Sequence, residues 1–418
     1  MTVARTALTR VRATDATHRV TTLELFFDLV FVFAFTQVTQ LMADDPSAAG
    51  ALRGLVLLAL LWWAWCSYAW LGNQAHADEG VVRLTIFVAM AAMFVVALTI
   101  PESFADLPGG LYAPFVLAAC YAVVRLAHLA CYLVAAGQDT GLRRQLLLTA
   151  VPVSAACGLL VAGGALGPPY QTLLWASALL VDYAGIWLVG TSGWRVHSPV
   201  HFAERHGLIV IVALGESLVA LGVGVAEQPI SVAIIAASAL GMVAAVSLWC
   251  LYFDVVAHVA EGVLSSTEGQ ARSRLARDSY TYLHFPIVMS IIFIALGLKK
   301  VLQYVSDTEG HDLSDALTGV PLIALYGGVA VYLLGHVGFR RRNVGTWNPH
   351  RTICAAAALL LIPLAWQVPA LAALGIIALL LAALVTYETV RYSQPRQQVR
   401  HQPGAGGPTG DESGVLRP

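Results

Sequence analysis

Apolar runs of membrane length recur along the chain, divided by short polar or Gly/Pro breaks. A helix needs about 20 apolar residues to cross a bilayer. Twelve runs meet or approach that length: 20–42, 51–72, 84–100, 112–136, 146–164, 170–191, 204–224, 230–256, 280–302, 318–339, 353–366 and 369–390. The pattern predicts an all-α polytopic membrane protein with about twelve transmembrane helices. Only Gln367 to Pro369 separates the last two runs, which predicts a tight helical hairpin. The run at 230–256 exceeds the needed length and predicts a tilted helix.

Lysine and arginine favour cytoplasmic loops, so their distribution orients the spans. With the N-terminus inside, the inner segments carry Arg83, Arg143, Arg144, Arg195, Arg205, Arg272, Arg274, Arg277, Arg340 to Arg342, Arg351, Arg391, Arg396 and Arg400. The outer segments carry Arg53, Lys299 and Lys300, and are otherwise acidic: Asp44, Asp45, Glu102, Asp106, Glu227, Asp307, Glu309, Asp312 and Asp315. This places both termini on the cytoplasmic side of the membrane. Met1 to Arg19 reads as a cytoplasmic segment with Arg5, Arg10, Arg12 and Arg19. The apolar run after it is of full span length without a small-residue cleavage site, so it reads as a first span and not a signal peptide. Residues 393–418, rich in Gln, Pro, Gly and Arg, read as a disordered cytoplasmic tail.

Composition agrees with the spans. The 418 residues are 58% hydrophobic and 12% charged, with mean hydropathy +0.72. Soluble domains carry about 25% charged residues, so water would not hold this surface. A net charge of −1 gives no field for nucleic acid. Cys66, Cys120, Cys131, Cys157, Cys250 and Cys354 all sit in apolar runs without CxxC spacing and read as small hydrophobes. His197, His201 and His206 would make a metal site only if helical, and Pro199 argues against a helix there. No metallohydrolase, nucleophile-elbow, phosphate-loop or dinucleotide motif occurs. The chain is therefore expected to have no cofactor and no metal, and no motif marks it as an enzyme. The aromatic group Trp62, Trp63, Trp65, Tyr68 and Trp70 reads as interfacial anchoring and packing, with a stacking platform for a ligand as the alternative.

The halves resemble each other. The first span holds Glu24 and, twelve residues on, the polar pair Thr36 and Gln37; the seventh holds Glu204 and then Glu216 and Ser217. The following spans carry Trp-Cys-x-Tyr at Trp65 to Tyr68 and at Trp249 to Tyr252. The fourth and tenth spans place His128 and His336 near their inner ends. Two six-span repeats, 20–191 and 192–392, are expected. Six spans is an even number, so the copies share one orientation and their axis lies along the membrane normal.

Ionisable side chains inside a span are costly and suggest function. Glu24 and Asp28 are four apart and share a helix face. Glu216 lies mid-span, on a helix where Gly207, Gly215 and Gly222 form a seam for close approach. Arg125 is a natural counter-ion for Asp28, Asp182 or Glu216, and His128 follows it one turn later. Asp182, Asp254 and the histidines His128, His258, His284 and His336 lie toward the cytoplasmic ends, as relay or interface residues. Glu204, Arg205 and His206 form one compact constellation at the inner surface. The pathway candidates are thus Glu24, Asp28, Arg125, His128, Asp182, Glu204, Arg205, Glu216, Asp254 and His336.

Two runs carry a family likeness. Arg19-Val-Thr-Thr-Leu-Glu-Leu-Phe-Phe-Asp-Leu-Val-Phe-Val-Phe-Ala resembles the opening signature of the bacterial low temperature requirement A family, and His201-Phe-Ala-Glu-Arg-His-Gly-Leu-Ile-Val-Ile-Val-Ala-Leu-Gly-Glu-Ser resembles its second. The resemblance runs from Arg19 to the last span. It implies a multi-pass membrane protein linked to growth in the cold, without an established molecular activity. Arg19 to Asp28 is also similar to the first-helix motif of the endolysosomal potassium/proton channels, with Phe27 in place of their Ser and Leu208 where the repeat would want an Asp. The reading that follows is transport or channel activity for protons, a cation or a small solute, with membrane lipids around it. The alternative is an intramembrane enzyme or accessory protein of lipid metabolism supporting cold growth.

Overall fold

The computed structural model describes residues 14–225, 228–307 and 310–391. Expectations placed on Arg5, Arg10, Arg12, Glu227, Glu309 and the tail 393–418 lie outside the described residues.

Eleven helical stretches are long and apolar enough to cross a membrane. In chain order they are α1 (Thr22–Asp44), α2 (Ala48–Gln74), α3 (Gly80–Thr99), α4 (Ala113–Ala135), α5 (Thr140–Leu166), α6 (Tyr170–Val189) and α7 (Pro199–Val223). Next come α8 (Val232–Phe253) with its continuation α9 (Val256–Ser266), and α10 (Gly269–Leu275) running through a π-helical turn (Ala276–Tyr282) into α11 (His284–Ser306). Last are α12 (Gly319–Val344) and α15 (Ala370–Arg391). Between these two, α13 (Pro349–Leu360) and α14 (Ile362–Ala365) form a shorter apolar helix interrupted at Leu361. It lies alongside α15. At its start, Asn348 donates to Glu388 near the end of α15 (3.3 Å); beyond its end, Ala370 N–H donates to Asp315 in the loop before α12 (2.8 Å).

Capping chemistry fixes where the helices begin. Thr21 and Glu24 form a capping box on α1, each side chain bonding the other residue's N–H. Ser47, Asp139, Ser198, Ser231 and Asn348 accept from their first-turn N–H groups. Pro199 was expected to prevent a helix. It is instead the first residue of α7, where proline has no hydrogen bond to lose, so α7 begins before position 204 and includes His201. The run at 230–256 does not stay one straight helix: α8 ends at Phe253, and Asp254 and Val255 separate it from α9.

Burial is inverted relative to a soluble protein. Large apolar side chains such as Phe26, Leu29, Val151, Leu180, Leu188, Ile235, Leu360 and Leu379 are exposed, while Glu24, Asp28, Arg125, Asp182, Arg205 and Glu216 are buried. An exposed apolar surface this extensive suits lipid and not water. The most enclosed helix is α2. Trp62, Trp63, Trp65 and Tyr68 are buried on it, so they pack the interior and do not form an interfacial belt. Among the six cysteines none is bridged.

Helix α1 packs on α2 and α3, α3 on α4, α4 on α5, α5 on α6, and α2 on α6. In the second half α7 packs on α8 and α11, α11 on α12, α12 on α13, α13 on α15, and α8 on α15. The halves meet chiefly where α1 lies on α7 and α11. The expected glycine seam on α7 is not a close contact. A Cβ at Gly215 or Gly222 would meet nothing within 4 Å, and at Gly207 it would make an ordinary contact with Phe253 (3.5 Å). Close approach occurs between α11 and α12, where a Cβ on Gly297 would lie 2.6 Å from Leu325 Cβ, and one on Gly328 2.8 Å from Ile294.

Adding that methyl group should force the helices apart. Gly297→Ala is expected to cost about 1–3 kcal/mol. Gly222→Ala should leave stability unchanged or slightly raise it through helix propensity. Thermal unfolding of the two purified variants in detergent checks this; equal midpoints would refute the packing.

Candidate functional site

Helix α1 carries a stripe of polar residues directed at the second half. Four-residue steps advance about 40° around a helix, so the stripe spirals slowly. Glu24 lies 3.0 Å from His201 Nε2, and Asp28 accepts from Arg205 (3.0 Å). Thr36 donates to Glu216 (2.5 Å), and Gln40 accepts from Lys299. The first three partners are on α7 and the last is on α11. Partners on α7 ascend in step with α1, so these two helices run parallel, side by side.

The upper two rungs form one cluster. Arg205 also approaches Glu24 (3.9 Å) and lies over the Trp65 ring (5.4 Å). Trp65 Nε1 donates to the Asp28 oxygen that Arg205 binds (2.8 Å). The other Asp28 oxygen, and Nε and Nη1 of Arg205, have no hydrogen-bond partner. Gly72 of α2 admits the Glu24 carboxylate: a Cβ there would sit 2.4 Å from Oε1.

Asn73 sets the state of His201. Its Oδ1 accepts from His197 N–H (2.8 Å), and its Nδ2 donates to Ser198 O (2.6 Å). The amide is therefore fixed with Nδ2 toward His201 Nδ1 (3.2 Å). That nitrogen must accept, so the ring is neutral and carries its proton on Nε2, directed at Glu24. His18, Glu24 and His201 bring ligand-type atoms within 4.8 Å of one another, a metal-like grouping. The proton on Nε2 makes it a hydrogen-bonded clamp instead, since a metal would need that nitrogen's lone pair. His197 is turned away and meets Gln74 (3.0 Å).

Two further ion pairs are buried elsewhere. Arg125 binds Asp182 (2.7 Å), Trp63 O (3.3 Å) and Ser67, so of its three possible partners it takes Asp182. In the second half Arg351 binds Glu388 (2.7 Å) and His336 Nδ1 (2.5 Å). Glu24, Asp28 and Arg205 thus converge. Glu216 stands lower on the same seam, Arg125 with Asp182 and His128 forms a second group, and His336 a third. Asp254 is half-buried at the break after α8.

The constellation Glu204, Arg205 and His206 is not assembled. Successive helical residues point about 100° apart. Glu204 turns outward to Arg19 (4.0 Å) and Val20 N–H (3.3 Å), while Arg205 and His206 are buried. His206 donates Nδ1–H to Phe202 O (2.8 Å).

A small cavity opens beside the Arg125 group. Its walls include Trp63, Trp70 and Trp194, with Arg125, His128 and Thr149 among its polar lining and Arg277 and Thr281 from the π-helical turn. Trp62 and Trp70 fasten that turn by donating to Thr281 O (2.8 Å) and Thr281 Oγ1 (3.0 Å). Sequence spacing does not single out Thr149, Trp194 or the turn; they meet only in the fold.

The sequence profile described as Bacterial low temperature requirement A protein (LtrA) matches residues 19–386, nearly the whole chain. The chain is 29% identical over 313 residues to Uncharacterized protein RA0937 of Rhizobium meliloti (strain 1021), covering 73% of this chain and 75% of that one. No solved structure matches.

Removing one partner of the Asp28–Arg205 pair leaves a buried charge, which costs about 3–5 kcal/mol. Asp28→Leu and Arg205→Leu should each destabilise by that order, and the double variant by clearly less than their sum. Thermal unfolding of the three variants measures the coupling, and additive losses would rule the contact out. A second expectation concerns His18, which precedes α1. Burial pushes its pKa below the ordinary 6.5, and His76 nearby pushes the same way, against Glu24 and Asp15. The unfolded chain then takes up a proton that the folded chain refuses, so stability is lost as pH falls below 6.5. Wild type should lose stability relative to His18→Gln between pH 7.5 and 5.5, read as the difference in midpoints. A pH-independent difference would contradict the buried position.

Proposed function

We propose that this chain, which belongs to the bacterial low temperature requirement A family, transports a small solute or ion, using the Glu24–Asp28–Arg205 cluster to take up a proton or cation. One observation carries the reading: the cluster is one positive charge short. Two carboxylates face a single guanidinium, and Asn73 holds His201 neutral. Net charge in a low-dielectric interior is costly and is relieved by a proton or a cation. The unpartnered Asp28 oxygen offers the place. The pairs Arg125–Asp182 and Arg351–Glu388 are balanced and need no such partner.

The reading includes two parallel six-span repeats, 20–191 and 192–392, meeting at α1 and α7. Support comes from matched packing: first on second span, first on third, third on fourth, fourth on fifth, fifth on sixth, and second on sixth recur in both halves. Tyr68 meets His128 at 5.4 Å between ring centres, and Tyr252 meets His336 at 5.8 Å. The sixth span of each half supplies an acid, Asp182 or Glu388, to a buried arginine. Repeats of this kind commonly place ion and substrate sites at their interface. The arginine bias supports an inner-membrane location with both ends cytoplasmic.

Flux into liposomes containing the purified protein tests the proposal, with protons, monovalent cations and small organic solutes on the panel. Flux of at least one is expected, reduced about tenfold or more by Asp28→Asn, equivalent to about 1.4 kcal/mol or more on the limiting step. Absence of flux for the whole panel, or unchanged flux in Asp28→Asn, would overturn it.

A further inference from the structure

A groove of about 270 Å³ lies between the first half of α7 and the junction of α8 with α9. The buried rings of Tyr252, Tyr280 and Phe339 close its floor, and Leu208, Ile211 and Phe253 form an apolar side wall. Ile211 is 47% exposed, so that wall runs on into the apolar outer surface. The 22 residues of α8 reach about 33 Å, enough to cross the hydrocarbon. The junction after them therefore stands where hydrocarbon gives way to headgroups.

The charged groups of the groove stand at its rim, where an arriving group can reach them. Two are carboxylates, Glu204 and Glu261, and Arg19 is the one guanidinium among the described lining residues. Arg19 stands on the Glu204 side at 4.0 Å, with side chains 70% and 38% exposed, a long contact that water screens. Glu261 is left without a second guanidinium, and net charge beside hydrocarbon is unfavourable. His258, exposed at the same rim, adds an acceptor: its Nδ1–H donates to Phe253 O (3.1 Å), so the neutral ring presents Nε2 as a lone pair. An ammonium group brings one positive charge and three donors, which matches what this rim offers.

We propose that this groove binds a primary amine carried on an apolar chain, its ammonium donating to Glu204, Glu261 and His258 Nε2 and its chain lying along Leu208, Ile211 and Phe253 toward the lipid. A fatty acid would add a third carboxylate to the rim. An uncharged alcohol would leave the rim charge uncompensated, and a short amine would leave the apolar wall uncovered. A free amphiphilic amine and the amino headgroup of a membrane lipid both offer this chemistry. As the substrate class the amine rests on the transport reading; its binding does not.

The experiment measures binding at equilibrium, without flux. Purified full-length protein in phosphatidylcholine nanodiscs is titrated with radiolabelled dodecylamine, and binding to empty nanodiscs is subtracted. Unlabelled dodecanol, dodecanoate and butylamine compete against the label. Saturable binding of dodecylamine is expected, at least about tenfold tighter than that of any of the three, the scale of one charge-assisted hydrogen bond or of a few buried methylenes. Glu261→Gln and Glu204→Gln should each weaken it about three- to tenfold. Arg19→Gln removes a competing cation and should strengthen it about two- to threefold. These side chains are partly exposed, so folding should survive, and the unfolding midpoint checks this. No saturable dodecylamine binding to folded protein overturns the proposal. So does equal or tighter binding of dodecanol, dodecanoate or butylamine, wild-type affinity in both glutamate variants, or weaker binding in Arg19→Gln. Replacing part of the lipid by phosphatidylethanolamine identifies the source: a weaker apparent affinity assigns the groove to the lipid headgroup, and an unchanged one to the free amine. Binding without any flux would leave the site standing and defeat the transport reading; flux of another solute without amine binding would do the reverse.

Discussion

The parallel contact between α1 and α7 is the constraint on which the rest of the structure depends. Glu24 and Asp28 are four residues apart on one helix, and His201 and Arg205 are four apart on the other. Equal spacing lets both rungs close at once only if the helices run in the same direction and register. Apolar contacts cannot impose that register inside a bilayer, because lipid chains satisfy apolar side chains as well as another helix does. Polar pairs can, since a slip by one residue would bury four groups unpaired. Below them, Thr36 with Glu216 and Gln40 with Lys299 extend the same registration toward the opposite face. The helices that pack on α1 and α7 inherit their positions from it.

The spans were legible because the thickness of hydrocarbon imposes a length that a hydropathy pattern records directly. The buried carboxylates were legible for a related reason: a charge inside an apolar run is conspicuous. Their partners were much less so. Arg205 sits beside Glu204 and His206 in sequence, which suggests a surface triplet; the helical turn sends Glu204 outward and Arg205 inward. Pro199 reads as a break until Ser198 is seen to cap the helix that it begins. Trp65 reads as a membrane anchor, and its bond to Asp28 depends on where α2 crosses α1. The match in spacing between the two pairs was present in the sequence. Its meaning depends on knowing which two helices touch.

Buried ion pairs contribute little net stability, because desolvation offsets most of their attraction. Three separate groups in one chain therefore call for a reason beyond folding. Register accounts for the Asp28–Arg205 rung. The Arg351–Glu388 pair ties α13 to α15, where the helix is too short and interrupted to hold its place by length alone. The Arg125–Asp182 pair ties α4 to α6 beside a cavity. Each pair thus positions something, and only the cluster at the seam is left with an unequal count of charges.

The seam cluster and the cavity are not independent, because α2 contributes to both. Trp65 donates to Asp28, while Trp63 O and Ser67, on the neighbouring positions of the same helix, receive Arg125. Helix α2 also meets the π-helical turn, held through Trp62 and Trp70. A π-helical segment has a looser backbone geometry than the α-helix around it and often marks a working part of a protein. A proton or cation arriving at Asp28 would change what Trp65 and Arg205 bind. A displacement of α2 by that change would move Trp63 and Ser67 by a similar amount, and with them the donors around the cavity. Helix α2, the most enclosed of the helices, thus touches both the seam cluster and the walls of the aromatic cavity.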